Sequence, residues 1–428
     1  MNNNVKVLKF GGTSQTRETY KMINEIINSQ PNNKFIIVLS AIKGITNSLL
    51  DFVNTKNFKL WHEIIQINKN LHESLLNVEN KFIKDMENKL WDLDNDKIEI
   101  VAMGEFFTTN ILNDYLNSNN IKSKFMSSFD IVKSNQPNFN SLYNKGEFIV
   151  DSNKILFELQ NNKVIIIPGF SGSSLDNKPC LLGRGGSDTS GSIIAAAVNA
   201  GEYQIWTDVD GIYSSDPRKI SNTFLIKNIG YNASQEIAAM GAKIIHPYCI
   251  LPCAVKEIPI LIKNTFNRKG IPTEISNKLI QKDTIYGITL QENVKVFKIT
   301  SQNMWNNYGF VYDIFSTFKK YNVDVNIINT SQFNITTTTD ETQNDNLLEV
   351  KEELSRNYKV ELDSENTIVS IVGENIRTNI KIGHIFELTR KYDIILTSYS
   401  SNDMTLSFVV GKNIANKLCQ ELHNLLFI

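Results

Sequence analysis

The sequence predicts an α/β protein in which a mainly parallel central sheet, flanked by helices, is followed by two smaller α+β units. Near its start, a strand-like run at Val5–Phe10, a helical pattern at Arg17–Asn28 and an apolar run at Phe35–Leu39 follow one another. This alternation is typical of parallel sheets covered by helices. Near residue 280 the pattern changes to shorter elements, which occur in two similar rounds of about 60 residues each.

The elements of the first part follow from hydrophobic periodicity. Val5–Phe10 alternates apolar and polar residues as a half-buried strand does, whereas Phe35–Leu39 is apolar throughout, as in a strand buried on both faces. Residues 47–92 repeat large apolar side chains at helical spacing, and a further helix is predicted to end at Leu116. Two more buried strands are predicted, at Lys163–Pro168 and Tyr203–Thr207.

The second part contains the same kinds of element in shorter form. Strands are predicted at Lys295–Thr300, Val323–Ile328, Ile335–Thr339, Thr367–Val372, Ile394–Thr397 and Met404–Val410. Helices are predicted at Gly309–Tyr321, Leu347–Tyr358, Ile382–Tyr392 and Asn413–Asn424. We therefore expect one domain at residues 1–285 and two ferredoxin-like domains within residues 293–428, which agrees with the two or three domains that 428 residues favour.

A glycine-rich stretch at Leu182–Gly191 leads into an apolar, alanine-rich segment that predicts a helix. Ser187, Asp188 or Thr189 could cap the start of this helix. Bare backbone N–H groups at the positive end of a helix bind phosphate, and the planar guanidinium of Arg184 suits a carboxylate or a phosphate. The alternative is a helix cap after a glycine-rich turn, with no ligand.

Four further predicted strand ends carry similar residues, which argues against that alternative. Ligands of open α/β sheets lie outside the carboxyl ends of the strands. Lys9 directly precedes two glycines and is placed to reach phosphate oxygens. The five ends together favour a phosphate-bearing ligand, and they are Lys9–Ser14, Ser40–Asn47, Gly169–Gly172, Gly183–Asp188 and Thr207–Asp216.

Several classes of protein are excluded or disfavoured. The phosphate-binding motif of P-loop enzymes and the signatures of protein kinases are absent. Asp208–Gly211 does not meet the spacing of a calcium loop, and the four cysteines form no C-x-x-C pair, which disfavours zinc and disulfides. The net charge of −1 predicts neither nucleic-acid nor membrane binding, and the sequence lacks a signal-peptide core, so we expect a cytoplasmic protein. His246 could act as a base, but packing or hydrogen bonding is the preferred interpretation.

Four motifs in register resemble aspartate kinase. They are Lys9–Ser14, Gly183–Asp188, Trp206–Tyr213 with Asp216-Pro217-Arg218, and Gly241–Pro247. The resemblance covers nearly the whole chain and is to the monofunctional, lysine-sensitive bacterial type, whose C-terminal region is a tandem of ACT domains. It implies the amino-acid kinase fold and ATP-dependent phosphorylation of the β-carboxylate of L-aspartate. The product, 4-phospho-L-aspartate, opens the route to lysine, threonine, methionine and diaminopimelate.

The resemblance also implies roles for individual residues. Lys9 would stabilise the transferring phosphoryl group and Asp188 would organise the lysines around it. Arg184 would bind the α-carboxylate of aspartate and Glu105 its ammonium. Hydroxyl contacts to the substrate would come from Ser40, Thr46 and Ser187. The nucleotide would be held by Lys9, Phe10, Gly11, Gly12, Thr207, Asp208, Tyr213, Asp216, Arg218, Lys243 and Ile244, with Gly11 and Gly12 lending backbone N–H groups.

The remaining expectations concern ligands and partners. The sequence shows no carboxylate cage for a metal, so Mg²⁺ would arrive on ATP. We expect a homodimer joined through the C-terminal region, and an amino-acid effector at the ACT domains. Lysine-sensitive enzymes carry Asp and Glu where this chain has Asn326 and Gln332, next to Ser331. We therefore expect weakened lysine binding, unless Asp324 compensates. The alternative functions are another acyl-phosphate kinase, such as one acting on glutamate, and a catalytically weak amino-acid sensor.

Overall fold

The computed structural model describes residues 2–135, 148–242, 244–277, 283–301, 308–340 and 344–428. The chain forms two compact units. The first comprises Met1–Ile212, Lys227–Gln235 and Ile244–Ile280, and the second comprises Tyr213–Ile226, Glu236–Lys243 and Gln281–Ile428. Each unit thus draws on separate stretches of sequence, and the domain boundaries expected at 1–285 and 293–428 stay a prediction.

The first unit alternates strands and helices along the chain. Its strands are β1 (Asn2–Phe10), β2 (Lys34–Leu39), β3 (Ser123–Phe125), β4 (Val132–Ser134), β5 (Phe148–Val150), β6 (Val164–Pro168), β7 (Ser171–Ser174), β8 (Pro179–Leu181), β9 (Ala200–Thr207), β10 (Asn228–Ile229), β11 (Ile260–Asn264) and β12 (Thr273–Ile275). Its helices are α1 (Arg17–Asn28), α2 (Ile45–Thr55), α3 (Phe58–Glu73), α4 (Lys81–Glu87), α5 (Lys97–Ser118), α6 (Ser128–Ile131), α7 (Ser152–Asn161), α8 (Gly186–Ala197) and α10 (Leu251–Val255), and α9 (Tyr231–Ala239) also begins there.

The central sheet of this unit is mainly parallel, which confirms the predicted class. Its strand order is β10-β12-β11-β9-β1-β2-β6-β3, and among its pairs β11 with β12 is antiparallel. β4, β5, β7 and β8 form a second, smaller sheet. β2 and β6 are apolar and buried almost throughout, because helices cover both faces of the parallel sheet.

Helix α1 shows how sequence pattern becomes packing. The Thr16 side chain accepts a hydrogen bond from the Thr19 N–H and so caps the start of the helix. Met22 and Ile23, with their neighbours one turn on, are buried in the same core as β1 and β2. The predicted helix at Arg17–Asn28 is confirmed.

The predicted cap of the glycine-rich stretch is wrong. Helix α8 already begins at Gly186, and its N-cap is Gly185, which has a φ of 66° and no side-chain hydrogen bond. Ser187, Asp188 and Thr189 therefore lie inside the first turn rather than before it. A Cβ at position 185 would lie 2.4 Å from Cβ of His246, so the site requires glycine.

The second unit is an α+β structure. Its strands are β13 (Ile285–Thr300), β14 (Ile328–Thr330), β15 (Asn334–Asp340), β16 (Lys359–Gly373), β17 (Ile394–Tyr399) and β18 (Thr405–Gly411). Its helices are α11 (Phe310–Lys320), α12 (Asn344–Leu354), α13 (Ile382–Thr389) and α14 (Lys412–Phe427).

One antiparallel sheet runs through the second unit, in the order β14-β15-β13-β16-β18-β17. The paired central strands β13 and β16 serve two cores. Phe297 and Ile299 of β13 pack with residues of α11 and α12. Ile288 of β13 and Val369 of β16 pack with residues of α13 and α14. The two rounds expected from the sequence are thus confirmed, but they share one sheet.

Three details of the second unit differ from expectation. Residues 286–292, left between the two predicted domains, form the first half of β13. Val323–Ile328 is not a strand, since regular structure begins only at Ile328. Helical spacing places Val311 on one face of α11 with Ile314 and Phe318, but Val311 is 42% exposed whereas the other two are buried.

No helix in the described parts of the chain is both long enough and apolar enough to cross a membrane.

Candidate active site

The carboxyl ends of four neighbouring strands meet at one edge of the central sheet. Phe10 of β1 is in register with Leu39 of β2, and Leu39 with Pro168 of β6. On the other side of β1, Phe10 is in register with Trp206 of β9. Four of the five glycine- and hydroxyl-bearing segments that the sequence singled out therefore begin at this edge.

A cavity of about 320 Å³ opens beside these strand ends. Every residue that the sequence assigned to catalysis or to aspartate lines it, together with Gly12. The lining residues are Lys9, Gly12, Ser40, Ala41, Ile42, Lys43, Gly44, Thr46, Glu105, Phe170, Gly183, Arg184, Gly185, Gly186, Ser187 and Asp188. All of them belong to the first unit.

Lys9 and Asp188 form an ion pair at the floor of this cavity. The Lys9 Nζ atom lies 2.6 Å from Asp188 Oδ1, and the two side chains are 9% and 16% exposed. Lys9 stands near the end of β1 and Asp188 in the first turn of α8. The pair fixes the ammonium at the strand ends while the carboxylate is stabilised by the helix N-terminus.

Glu105 supplies a second carboxylate to the cavity, from the middle of α5. Its side chain is buried, and its Oε2 atom has no hydrogen-bond partner among the described residues. Burial raises the pKa of Glu105 to about 8, although backbone N–H groups of Ala41 and Glu105 and the charge of Lys9 oppose the shift. A cationic ligand group would relieve this penalty, since it favours the charged form.

Two helix N-termini face the cavity. α2 starts after Gly44, which adopts a φ of 92°, and α8 starts after Gly185. Each helix has more than ten residues, so each contributes partial positive charge at its first turn. With Arg184 and Lys43 on the rim, the cavity is suited to anionic groups.

The expectation that Gly11 lends its N–H group to phosphate is wrong for this structure. That N–H donates to the Trp206 carbonyl oxygen at 3.1 Å and so completes the ladder between β1 and β9. Gly12 does line the cavity, and a Cβ there would lie 2.8 Å from the Ala41 carbonyl oxygen. Close backbone approach, rather than phosphate contact alone, therefore explains why glycine stands at position 12.

The residues expected to hold the nucleotide fall into both units. Thr207 is the last residue of β9 and Asp208 follows it, while Phe10 is the last residue of β1. These three residues and Ile244 belong to the first unit. Tyr213, Asp216 and Arg218 belong to the second unit. Lys243 lies outside the described residues.

Asp216 and Arg218 are paired with each other. The Arg218 Nε and Nη2 atoms lie 3.0 and 2.9 Å from the two Asp216 carboxylate oxygens. Hydrogen bonds from Arg218 hold the pKa of Asp216 below its usual value. The Arg218 side chain of this pair is largely exposed, whereas that of Asp216 is 25% exposed.

The preferred interpretation of His246 agrees with its contacts. Its Nδ1 atom accepts a hydrogen bond from the Tyr248 N–H at 3.4 Å, at the start of a short 3₁₀ helix. Burial lowers the pKa of His246, while the charge of Asp188 acts in the opposite direction. The ring packs against the Gly185 turn.

The fold and this cavity can now be compared with known proteins. The model of the amino acid kinase family matches residues 4–264, which is more than half of the chain. The chain belongs to the amino acid kinase family.

Relatives of this amino acid kinase include two curated bacterial proteins. The chain is 30% identical to the bifunctional aspartokinase/homoserine dehydrogenase of Buchnera aphidicola, over 99% of its own length and 56% of that protein's. It therefore spans about half of that relative. It is 28% identical to lysine-sensitive aspartokinase 3 of Escherichia coli, over 99% of both chains.

A solved structure with the same architecture is E. coli aspartokinase III in complex with aspartate and ADP. It matches with a TM-score of 0.84 and 26% identity, over 99% of this chain and all of that one. The expected combination of an amino acid kinase fold with ACT-type regulatory domains is confirmed.

Sequence reasoning missed several lining residues of this amino acid kinase. Lys43 lies in the turn Ser40–Asn47, which was singled out for its hydroxyls, so its charge was an available signal. Phe170 lies in the turn Gly169–Gly172, which was singled out for its glycines rather than for this residue. Its φ is 67°, and its N–H donates to the Ser190 hydroxyl at 3.0 Å, which ties the end of β6 to α8.

The expected effector residues lie on exposed backbone of the second unit. The Asn326 side chain donates to Asp340 Oδ1 at 3.0 Å, and the Gln291 amide donates to the same oxygen at 2.8 Å. Ser331 and Gln332 are exposed beside β14. The acid that accompanies Asn326 is thus Asp340 on β15, and no contact of Asp324 with Asn326 is seen among the described residues.

Proposed function

We propose that this chain transfers the γ-phosphoryl group of ATP to the β-carboxylate of L-aspartate and so forms 4-phospho-L-aspartate. The observation that carries the proposal is the pairing of charges in one cavity. Arg184 offers a cation for the α-carboxylate, and buried Glu105 has an unpartnered oxygen for the ammonium. Such a product opens biosynthesis of lysine, threonine, methionine and diaminopimelate.

Lys9 is the proposed catalytic residue, with Asp188 as its partner. In the transfer, an oxygen of the β-carboxylate attacks the γ-phosphorus and the bond to the β-phosphate oxygen of ADP breaks. Catalysis of such a step is mainly charge neutralisation and positioning. The Lys9 ammonium is fixed by its 2.6 Å ion pair, so it needs little reorganisation as charge develops.

Three hydroxyls complete the proposed aspartate site. Ser40 follows β2, Thr46 lies in the first turn of α2 and Ser187 lies in the first turn of α8. All three line the cavity that holds Arg184 and Glu105. They support binding of a small polar substrate by short hydrogen bonds.

The nucleotide would bring its own metal. The described residues contain no group of three or more His, Cys, Asp or Glu side chains placed to hold a metal ion. Phosphate oxygens are ordinary ligands of Mg²⁺, so the ion would arrive on ATP and reduce the negative charge that the incoming carboxylate meets. Thr207, Asp208, Tyr213, Asp216, Arg218, Lys243 and Ile244 are the proposed nucleotide contacts.

The alternative substrate is glutamate, which is longer by one methylene. A coupled assay that follows ADP formation with L-aspartate and with L-glutamate separates the two. We expect turnover with aspartate and a kcat/KM at least about tenfold lower with glutamate, because one methylene misplaces the carboxylate. Equal turnover with both, or none with aspartate, would refute the proposal.

We also propose a homodimer joined through the second unit, and an ACT-type effector site with reduced affinity for lysine. The cytoplasmic location expected from the sequence stays a prediction.

A further inference from the structure

Residues 213–226 of the second unit contain three of the proposed nucleotide contacts. Other parts of the second unit contact this segment on several sides. Tyr213 pairs with Leu225 in an antiparallel bridge, so the segment folds back on itself. Ile220 is 1% exposed and packs in the core that α13 and α14 cover. The segment is therefore an integral part of the second unit, which contains the ACT-type domains and is called the regulatory unit from here on.

Ser214 is the point at which the segment is fixed most closely. Its N–H donates to the Phe224 carbonyl oxygen at 2.9 Å, and its own carbonyl oxygen accepts from the Ile288 N–H of β13 at 2.7 Å. A Cβ at Gly287 would lie 2.6 Å from that carbonyl oxygen, so the strand approaches as closely as glycine permits. Both backbone groups of Ser214 are thus engaged.

The side chain of Ser214 is held by His423 of α14. Ser214 Oγ lies 2.9 Å from His423 Nε2, and the same hydroxyl accepts a hydrogen bond from the Phe224 N–H at 3.1 Å. The hydroxyl is thus held between the Phe224 N–H and an imidazole nitrogen, which fixes its position. Both side chains are fully buried.

The surroundings of His423 favour its neutral form. Its ring lies against Phe427, with centroids 4.8 Å apart, and near Phe224 at 6.3 Å. Burial lowers the pKa of His423. Burying a polar ring that makes one hydrogen bond costs more folding free energy than burying a leucine at the same position. This cost indicates that the hydrogen bond to Ser214 has a specific role.

α14 makes two further contacts with the segment. Gln420 Oε1 accepts from the Ser221 N–H at 2.8 Å and from its hydroxyl at 3.0 Å. Ser215 Oγ lies 3.6 Å from Cys419 Sγ. Cys419, Gln420 and His423 lie on adjacent turns of α14, and the residues that they contact lie on both sides of Asp216 and Arg218.

We propose that His423 is a positioning residue for nucleotide binding, acting through Ser214 to hold Tyr213, Asp216 and Arg218 in place. This rests on the proposed function, which assigns those three residues to the nucleotide. Because Ser214 is adjacent to Tyr213 and two residues from Asp216, a displacement at its hydroxyl is passed directly to both. Helix α14 of the regulatory unit thereby sets affinity for the nucleotide rather than for aspartate.

The test compares nucleotide and aspartate binding in four variants of the full chain. His423→Phe removes the hydrogen bond and keeps an aromatic ring. Ser214→Ala removes the same bond from the other side with little change in volume. His423→Gln keeps an amide near the Nε2 position, and His384→Phe is the matched control, because His384 is exposed on α13 of the same unit.

Calorimetry with ADP and with L-aspartate, and the KM values for ATP and aspartate, are the readouts. We expect His423→Phe and Ser214→Ala to raise the Kd for ADP and the KM for ATP by about fivefold or more, with aspartate constants unchanged within about twofold. His423→Gln should recover most of the affinity, and His384→Phe should match the wild type.

The inference is overturned if folded His423→Phe binds ADP as the wild type does, or if aspartate binding falls equally. It is also overturned if His423→Gln is as impaired as His423→Phe. Should His423→Phe fail to fold, Ser214→Ala decides by the same criteria. A wild-type chain that binds neither ADP nor aspartate would instead refute the proposed function, and that result is visible before any variant is made.

Discussion

At the scale of single residues, the candidate site is a set of charges that are balanced in pairs. Lys9 is neutralised by Asp188 at 2.6 Å, while Glu105 is held in an apolar setting that favours its protonated form. A substrate that carries both charges can bind to this arrangement without leaving a buried charge unpaired.

Replacing Lys9 tests the catalytic assignment. Loss of a charge-stabilising group at the transferring phosphoryl should cost about 3 kcal/mol or more, roughly a hundredfold in kcat, for Lys9→Ala. Lys6→Ala is a matched control, because Lys6 lies on the same strand and pairs with Glu202 at 3.0 Å outside the cavity. A folded Lys9→Ala protein that keeps more than about half of wild-type kcat would remove Lys9 from the mechanism.

Glu105 predicts the pH dependence of aspartate binding. With a pKa of about 8 it is mostly protonated in the free protein at neutral pH, and the substrate ammonium favours its ionised form. We expect the KM for aspartate to fall about tenfold between about pH 6.5 and 8.5, with proton release on binding at neutral pH. Calorimetry in buffers of different ionisation enthalpy measures the released proton. Glu105→Gln should bind aspartate weakly and without this pH dependence.

The same group affects stability, with a defined sign. The folded-state pKa lies above the ordinary value of 4.5, so the folded protein holds a proton that the unfolded chain releases. This contribution is complete below pH 4.5 and is lost as pH rises through about 8. The denaturant concentration at the midpoint of unfolding should therefore decrease less between pH 4.5 and about pH 8 in Glu105→Gln than in the wild type. A flat wild-type profile for both KM and midpoint would contradict the assignment.

At the scale of elements, the proposed effector residues lie before and after β14, at Asn326 and Gln332. Asn326 and Gln332 replace two acids, and a charge-assisted hydrogen bond is stronger than a neutral one by about 1–2 kcal/mol. Asp340 retains one carboxylate near Asn326, but that oxygen already accepts from two amides. The Asp340 carboxylate is therefore poorly suited to bind an ammonium group of lysine in addition to these two amides.

We expect weak or absent inhibition by lysine at submillimolar concentration. The two lost charges correspond to a roughly ten- to thousandfold weaker Kd. Calorimetry with lysine and the coupled assay are the measurements, and Asn326→Asp with Gln332→Glu should strengthen binding. Micromolar lysine binding together with inhibition of the unaltered chain would show the argument from charge to be wrong.

At the scale of the whole molecule, the regulatory unit offers surface for self-association. β14 lies at one end of the six-stranded sheet, and its three residues are exposed. Ile328, the first residue of β14, is 48% exposed, and Phe333, which follows the strand, is 44% exposed. An exposed strand edge with apolar side chains is a ready surface for pairing with another chain, and two-fold symmetry is the commonest outcome.

Light scattering should find a particle of twice 48.6 kDa at tens of micromolar. Ile328→Lys places a charge on the exposed edge strand and should shift the protein toward monomer, since charges on edge strands prevent pairing. The control is Leu348→Lys on α12, which places the same charge at a similarly exposed apolar residue away from β14 in sequence. Phe224→Lys would not serve as a control, because Phe224 lies near His423. A 48.6 kDa monomer at that concentration would contradict the dimer.

The sequence by itself determined the class of the fold and several of the residues that line the candidate site. Continuous apolar runs at β2 and β6 predicted buried strands, and the glycines at their ends predicted where a ligand would bind, because both signals depend on neighbouring residues alone. Lys9, Arg184 and Asp188 belong to glycine-containing segments, Glu105 was implied by the resemblance to aspartate kinase, and all four line one cavity.

Only the tertiary structure decided three other matters. The Gly11 N–H is used by Trp206 in a neighbouring strand, and the cap of α8 is set by the close approach of His246 to Gly185. The segment around Ser214 belongs to the regulatory unit and is held by His423, which is 209 residues away in sequence. Contacts of this kind leave no local periodicity, since each depends on which backbone or side chain long-range packing brings alongside.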